Sequence, residues 1–325
     1  MGRRKVLTLI NLLGPFLGLL LVIGLFSLSS EVRPYFLSGA NFKIIFTQTV
    51  VVAICALGMT MIIVSGGIDL SVGSVVALCS VTGAILLTKN VSPAVVVLGT
   101  VLVGAAVGLV NGTVISQFKM MPFIVTLGMM GIARGLAKWM ANNQAVYFPD
   151  TQLTDVMALA EPEKFLPLPH GVWITLILAI VLFVVMRQTV FGRYVFAIGS
   201  NELAARLSGV RVARQKMFIY SLAGLFFGMA GLMQLSRLSQ GDPTVAIGLE
   251  LDVIAAVVIG GASLSGGTGS VLGSLIGALI MATLRNGSNQ MGWPTYMQEI
   301  IIGAVIILAV GVDKLRGWKA TKQRG

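Results

Sequence analysis

Apolar positions in this chain fall into long, nearly unbroken runs. They show neither the 3.6-residue stripe of a surface helix nor the alternation of a half-buried strand. Ten runs stand out, near 11–29, 44–64, 71–88, 94–116, 122–141, 171–187, 216–235, 251–264, 268–285 and 296–312. About 20 apolar residues in a helix match the hydrocarbon thickness of a bilayer. The pattern therefore predicts an all-α, polytopic membrane protein with about ten transmembrane helices. The eighth run is short and leads almost directly into the ninth. Glycine and serine interrupt the apolar pattern near 65–74 and 259–270, predicting broken helices there. Only two connections are long, Asn142–His170 and Arg187–Gln215. The expected organisation is a single transmembrane domain over 1–325.

Composition excludes a water-soluble enzyme. Hydrophobic residues make up 56% of the 325 and charged residues 11%, against roughly 25% charged in soluble domains, and the mean hydropathy is +0.93. The formal charge of +11 would point to nucleic acid in a soluble chain. Here topology accounts for it. With the N-terminus in the cytoplasm, ten crossings return the C-terminus to the same side, and the inside then holds 15 Lys/Arg and 3 Asp/Glu, the outside 8 and 9. That asymmetry is the positive-inside rule, so no nucleic-acid partner is called for. The loop at about 142–170 is external and the loop at about 188–215 cytoplasmic. The basic Met1–Lys5 start precedes 19 apolar residues with no small-residue cleavage site after them, which reads as a retained first helix rather than a signal peptide.

Candidate chemistry is sparse. Cys55 and Cys79 lie inside apolar runs and offer neither a disulfide framework nor a zinc site. His170, the only histidine, reads as a loop residue. No phosphate-binding loop and no acidic relay through the spans is present, so the chain reads as no enzyme, needs no cofactor or metal, and must draw energy for any uphill transport from another polypeptide. Glycines recur every fourth residue at Gly104/Gly108/Gly112, Gly14/Gly18, Gly131/Gly135, Gly224/Gly228 and Gly273/Gly277, a spacing that lets helix backbones approach closely.

Three motifs stand out. In Ser65-Gly66-Gly67-Ile68-Asp69-Leu70-Ser71-Val72-Gly73-Ser74, Asp69 reads either as an N-cap of the following helix or as an ionisable group lining a pathway. Val258–Ser270 repeats it at an offset of 194, with six identities in eleven positions, as internal repeats with broken helices do in many transporters. Gly192–Val210 predicts a short cytoplasmic helix capped by Ser200 or Asn201, with Glu202 in its first turn and Gly209 beyond its end. That helix suits either anionic membrane lipid or docking into a partner protein.

Together, Gly66–Ser74, Gly192–Val210 and Val258–Ser270 resemble the ribose-type sugar permeases of bacterial ABC importers, and the similarity covers nearly the whole chain. The resemblance implies the transmembrane permease subunit of an ATP-driven importer of a ribose-like monosaccharide. It implies an ATP-binding cassette ATPase subunit as partner, a periplasmic or extracellular sugar-binding protein, a second permease subunit forming a homodimer, and multi-pass insertion in the bacterial inner membrane with both termini cytoplasmic. It assigns coupling to the ATPase to Asn201, Glu202, Ala204, Ala205 and Gly209. For Asp69 it implies pathway lining or gating. Polarity adds Ser71, Ser74, Ser263, Asn111 and Gln48 as lining candidates, although such residues also serve as bonds between helices. The competing reading is a stand-alone secondary transporter or channel, against which the scarcity of charge within the spans counts.

Overall fold

The structure, a computed structural model, describes residues 2–149, 151, 153–158 and 168–322, with side chains described over 13–149, 151, 153–158, 168–308 and 311. All ten apolar runs contain helix. The order is α1 (Gly2–Ser27), α2 (Arg33–Phe36), α3 (Gly39–Val64), α4 (Val72–Thr88), α5 (Pro93–Gln117), α6 (Pro122–Met140), α7 (His170–Gln188), α8 (Val190–Ser200), α9 (Glu202–Leu207), α10 (Val212–Leu238), α11 (Leu249–Ile259), α12 (Val271–Gln290) and α13 (Thr295–Lys322). Six of these, α3, α5, α6, α7, α10 and α12, are long and apolar enough to cross a membrane by themselves, and the apolar parts of α1, α4 and α13 are shorter. Proline at the first position of α5 and α6 pre-sets the helical φ where no backbone donor is needed. His170 opens α7 and is exposed, instead of lying in a loop.

The bundle is built around α3, which is buried on nearly every side from Val50 to Ser65. It packs against α10, α12 and α11. α5 and α10 form the most extensive pair, and glycine explains how. A Cβ at Gly104 would collide with the Gly224 carbonyl, and one at Gly108 with the carbonyl of Tyr220. On the other side of the bundle, Gly273 and Gly277 lie against the carbonyls of Gly260 and Ala256, joining α11 to α12. A Cβ at Gly131, Gly135 or Gly14 would meet nothing within 4 Å, and one at Gly18 would reach only the Ile280 side chain at 3.4 Å, so these stripes make no close backbone approach among the described residues.

The eighth run differs from expectation. α11 has only 11 residues, about 16 Å of helix, roughly half a hydrocarbon core. The rest of the crossing is a non-helical strap over 239–248. Gly241 packs against Ser80, Val81 and Ala84 of α4, and Ala246 against Gly73, so the strap descends along α4 by about ten residues of helix, roughly 15 Å, before α11 begins. Irregular backbone at membrane depth is tolerable only inside protein with its polar groups satisfied. Arg134 of α6 donates to the carbonyls of both Pro243 and Val245 at 2.7 Å. Asp242 accepts from the amide and hydroxyl of Thr244 at 2.7 Å each. A two-residue ladder pairs β1 (Val146–Tyr147) with β2 (Gln240–Gly241), antiparallel, Val146 opposite Gly241.

Arg134, Arg237 and Arg285 sit on α6, α10 and α12. The described part of the 142–170 loop folds onto α10, where the Ser236 hydroxyl receives the Met157 amide at 3.0 Å and donates to the Thr154 carbonyl at 3.1 Å. Asp150, Glu161, Pro162, Glu163, Lys164 and Pro167 lie outside the described residues. Replacing Arg134 by Met is expected to strand two strap carbonyls and cost about 2–4 kcal/mol, read as a lowered unfolding midpoint in detergent. An unchanged midpoint would remove Arg134 from the strap's support.

Candidate functional site

The three sequence motifs meet in space. Val64 ends α3, and its carbonyl accepts from the Gly267 amide at 2.8 Å, tying the first break to the second. Gly199, in the last turn of α8, wedges between them. A Cβ there would collide with the Val64 carbonyl and stand 2.6 Å from the Gly267 nitrogen. Gly266 in turn leaves no room for a Cβ against Gly199 and Gly66. Gly66 and Gly267 adopt φ of +84° and +77°, conformations that cost an L-residue energy. The result is a clasp of bare backbone in which no side chain could stand.

From this clasp the chain enters α9. The Asn201 side chain accepts from the Ala204 amide at 2.9 Å, so Asn201 is the cap and Ser200 closes α8. Gly209 adopts φ +87° and ends the helix, with its amide bonded to Arg206 and that of Val210 to Ala205. Ala205 is buried with Ile198, Val210 and Val212. Ala204 faces outward, flanked by Leu203 at 66% and Leu207 at 80% exposure. α9 thus presents a low apolar face on a capped stub.

Glu202 fixes the stub to the bundle. Its carboxylate accepts from Lys216 of α10 at 2.7 Å and from Arg206 at 3.1 Å. Partial burial pushes the Glu202 carboxyl up, but the hydrogen bond and charge of Lys216, with Arg206 behind them, outweigh it and hold the carboxyl below the usual glutamate range. A depressed value means that the contact stabilises the fold above the ordinary glutamate range. It is lost only as pH falls through the lowered value, so it persists at physiological pH.

Asp69 lies deeper, 1% exposed. One carboxylate oxygen accepts from the Ser71 amide at 2.8 Å and its hydroxyl at 2.6 Å; the other receives the Asn111 side-chain amide of α5 at 3.3 Å. Asn111 also donates to the Ser71 hydroxyl at 3.1 Å. Ser71 is the residue preceding α4 and makes no side-chain cap. Asp69 therefore forms an Asx turn leading into α4 instead of capping it directly. Asp69, Ser71 and Asn111 make a buried knot between the first break and α5, and Ser74 is buried one turn further along α4. The Asn111 side-chain carbonyl oxygen and the Tyr220 hydroxyl, which abuts Gly67, are buried without a hydrogen-bond partner among the described residues. Ser263 sits in the second break, hydrogen-bonded to Ser265 at 2.8 Å. Gln48 lines a cavity at the ends of the helices remote from α9, whereas Asp69, Ser71, Ser74, Asn111 and Ser263 do not line that cavity. Charge within the helices exceeds what the sequence implied: Asp252 of α11 and Arg285 of α12 form an ion pair at 2.6 Å beside that cavity. Their spacing of 33 residues gives no local signal; only the α11–α12 hairpin pairs them.

Comparison with known proteins matches residues 41–310 to the family model described as the permease component of branched-chain amino acid transport systems. The chain is 41% identical over 295 residues to the ribose import permease protein of Escherichia coli K12, covering 91% of this chain and 92% of that one. It is 41% identical over 303 residues to the ribose import permease protein of Bacillus subtilis 168, covering 93% and 92%. It is 38% identical over 292 residues to the L-arabinose ABC transporter permease protein of Azospirillum brasilense, covering 90% and 85%. No solved structure matches.

The clasp yields a test of geometry. Gly199→Val should force the second break away from Val64, and the 188–215 segment should become cleavable by trypsin at Arg193, Arg206 and Arg211 while α9 keeps its cap. Cleavage unchanged from the parent protein would show that the clasp does not hold the segment.

Proposed function

The chain belongs to the family of permease components described for branched-chain amino acid transport systems, and from that membership we infer that it is the transmembrane subunit of an ATP-driven, binding-protein-dependent importer of a monosaccharide. The relatives similar over nine-tenths of the chain are named for ribose and arabinose import, which favours a sugar over an amino acid as the solute. The same relatives favour an ABC permease over a stand-alone secondary transporter or channel, and they are transport proteins, not enzymes. The chain is a multi-pass membrane protein.

The observation that carries the mechanism is the Gly199 clasp. Asn201, Glu202, Ala204, Ala205 and Gly209 build a short exposed element whose N-terminal end is locked, backbone to backbone, to both breaks, and whose Glu202 is ion-paired to α10. In our reading α9 seats in a cleft of an ATPase subunit on the cytoplasmic side, where the chain's Lys and Arg concentrate. Closure of the ATPases on nucleotide moves α9. Gly199 passes that displacement to the ends of α3 and α11–α12, and Lys216 passes it to α10 with α5 packed against it. Access then switches from one face to the other. Asp69, Ser71, Ser74 and Ser263 act here as gating residues: they lie in, or one turn beyond, the two breaks that move and do not line the cavity at Gln48. A secreted sugar-binding protein delivers solute to the external face, and a second, identical permease completes the pathway in the inner membrane, both termini inside.

The experiment is co-reconstitution in liposomes with the ATPase and binding protein encoded beside this chain, screened over monosaccharides. A sugar-loaded binding protein should stimulate ATP hydrolysis and drive uptake; uptake without any ATPase would overturn the assignment. Glu202→Arg, which reverses the charge facing Lys216, and Gly209→Trp, which places a bulky L-residue at φ +87°, should leave insertion intact and lower uptake roughly tenfold or more, the scale of coupling between distant sites. Normal uptake by both variants would sink the coupling role. Asp69→Asn sets two amide donors against each other at Asn111; loss of uptake supports gating, whereas lowered thermal stability with normal uptake marks the knot as structural only.

A further inference from the structure

The cavity at the end of the bundle remote from α9 has a volume of about 390 Å³, within the range of small-molecule sites. Its polar lining comes from Gln48 of α3, Gln234 and Arg237 of α10, Asp252 of α11, and Arg285 and Asn289 of α12. Aliphatic side chains and the strap at Ala246 and Ile247 supply the rest of the wall. We propose that this cavity is a binding site for a neutral monosaccharide, assembled within a single copy of the chain, with Arg237 as a specificity-determining donor to sugar hydroxyls. The proposal rests on the importer reading and adds to it the place where the solute is held.

Charged groups within membrane helices are costly and mark solute pathways unless they are fully paired. Asp252 is paired, by Arg285 at 2.6 Å. Arg237 makes no ion pair among the described residues, yet it is exposed to the cavity and lies within Coulomb range of Arg285. A guanidinium carries five donors and no acceptor, so this wall holds unused donors in excess. Asp252, Asn289, Gln48 and Gln234 add acceptors. A monosaccharide, with hydroxyls that donate and accept around a ring with C–H faces, complements such a wall of mixed polar and aliphatic groups. The lining has two cations and one anion, a net +1. That excess disfavours inorganic cations and protonated amines, as an arginine does in other solute-selective pores.

The packing beneath supports a site open to one side only. Every residue of α3 from Ile54 to Val64 is buried, so close-packed core separates Gln48 from the clasp by 16 residues of helix, roughly 24 Å. Along α3, packed core therefore lies between the cavity and the end that carries α9. The strap that forms its rim is held by a side chain, Arg134, and not by helix. Ile247, 75% exposed, stands on that rim.

Two measurements decide the matter. Ile247→Cys places a thiol on the rim of a chain whose own Cys55 and Cys79 are fully buried. A membrane-impermeant methanethiosulfonate should label the purified variant, and one member of a monosaccharide panel should slow labelling in a concentration-dependent way. In the reconstituted importer, Arg237→Gln should lower the sugar moved per ATP hydrolysed about tenfold, the scale for losing hydrogen bonds to a charged group, and Arg237→Lys should recover part of it. If wild-type importer carries a sugar that fails to protect Ile247→Cys, and Arg237→Gln transports like wild type, the site is refuted and the importer reading survives. If a sugar protects Ile247→Cys but no sugar stimulates ATP hydrolysis in the complete assembly, the site stands and the importer reading falls.

Discussion

A lipid interior offers no hydrogen bonds, and that deficit governs every place where this chain leaves the helix. At each departure, hydrogen bonds from particular groups take up part of the backbone's polarity. The first break turns on Asp69, which collects the amide and hydroxyl of Ser71. The strap over 239–248 relies on Arg134 and Asp242. The second break is closed by its own backbone, Ser263 to Thr268, and by Gly267 to Val64.

The same economy explains the glycines. Apolar side chains gain little by leaving lipid for protein, so close approach of backbones must hold helices together. At Gly104 and Gly108 this makes α5 and α10 a single block; at Gly273 and Gly277 it makes α11 and α12 another. Close-packed interiors transmit displacement instead of absorbing it. α9 touches the first block through Glu202 and Lys216, and Gly199 at the end of α8, which leads into it, abuts Gly267 before α12, so a force applied to one short segment reaches both.

Polarity of the molecule follows from these contacts. One end is a clasp of backbone with an exposed stub; the other holds charged groups around a cavity, and solid apolar packing along α3 lies between. Such a barrier holds solute on one side until its helices shift as blocks, which is the behaviour required of a passive partner driven by an external motor.

Much of this was legible along the chain. Apolar runs located the helices because burial in lipid is a property of each residue and leaves its mark locally. The cap at Asn201, the stop at Gly209 and the two glycine breaks were legible for the same reason, since each depends on a few consecutive residues. Depth, partnership and cavity were not. The shortness of α11 was legible as a short apolar run, but the path of the polar, Gly- and Pro-containing strap at 239–248 along α4 was not, because it depends on contacts with Ser80, Val81, Ala84 and Gly73 that lie far away in the chain. The partners of Arg134 and Arg285 gave no local signal, because Pro243, Val245 and Asp252 lie up to 111 residues away in the chain. Sequence by itself determined what must be buried and where the backbone must bend. Only the tertiary structure decided which bends touch and which charges share a cavity, because those depend on how helices far apart in the chain are packed side by side.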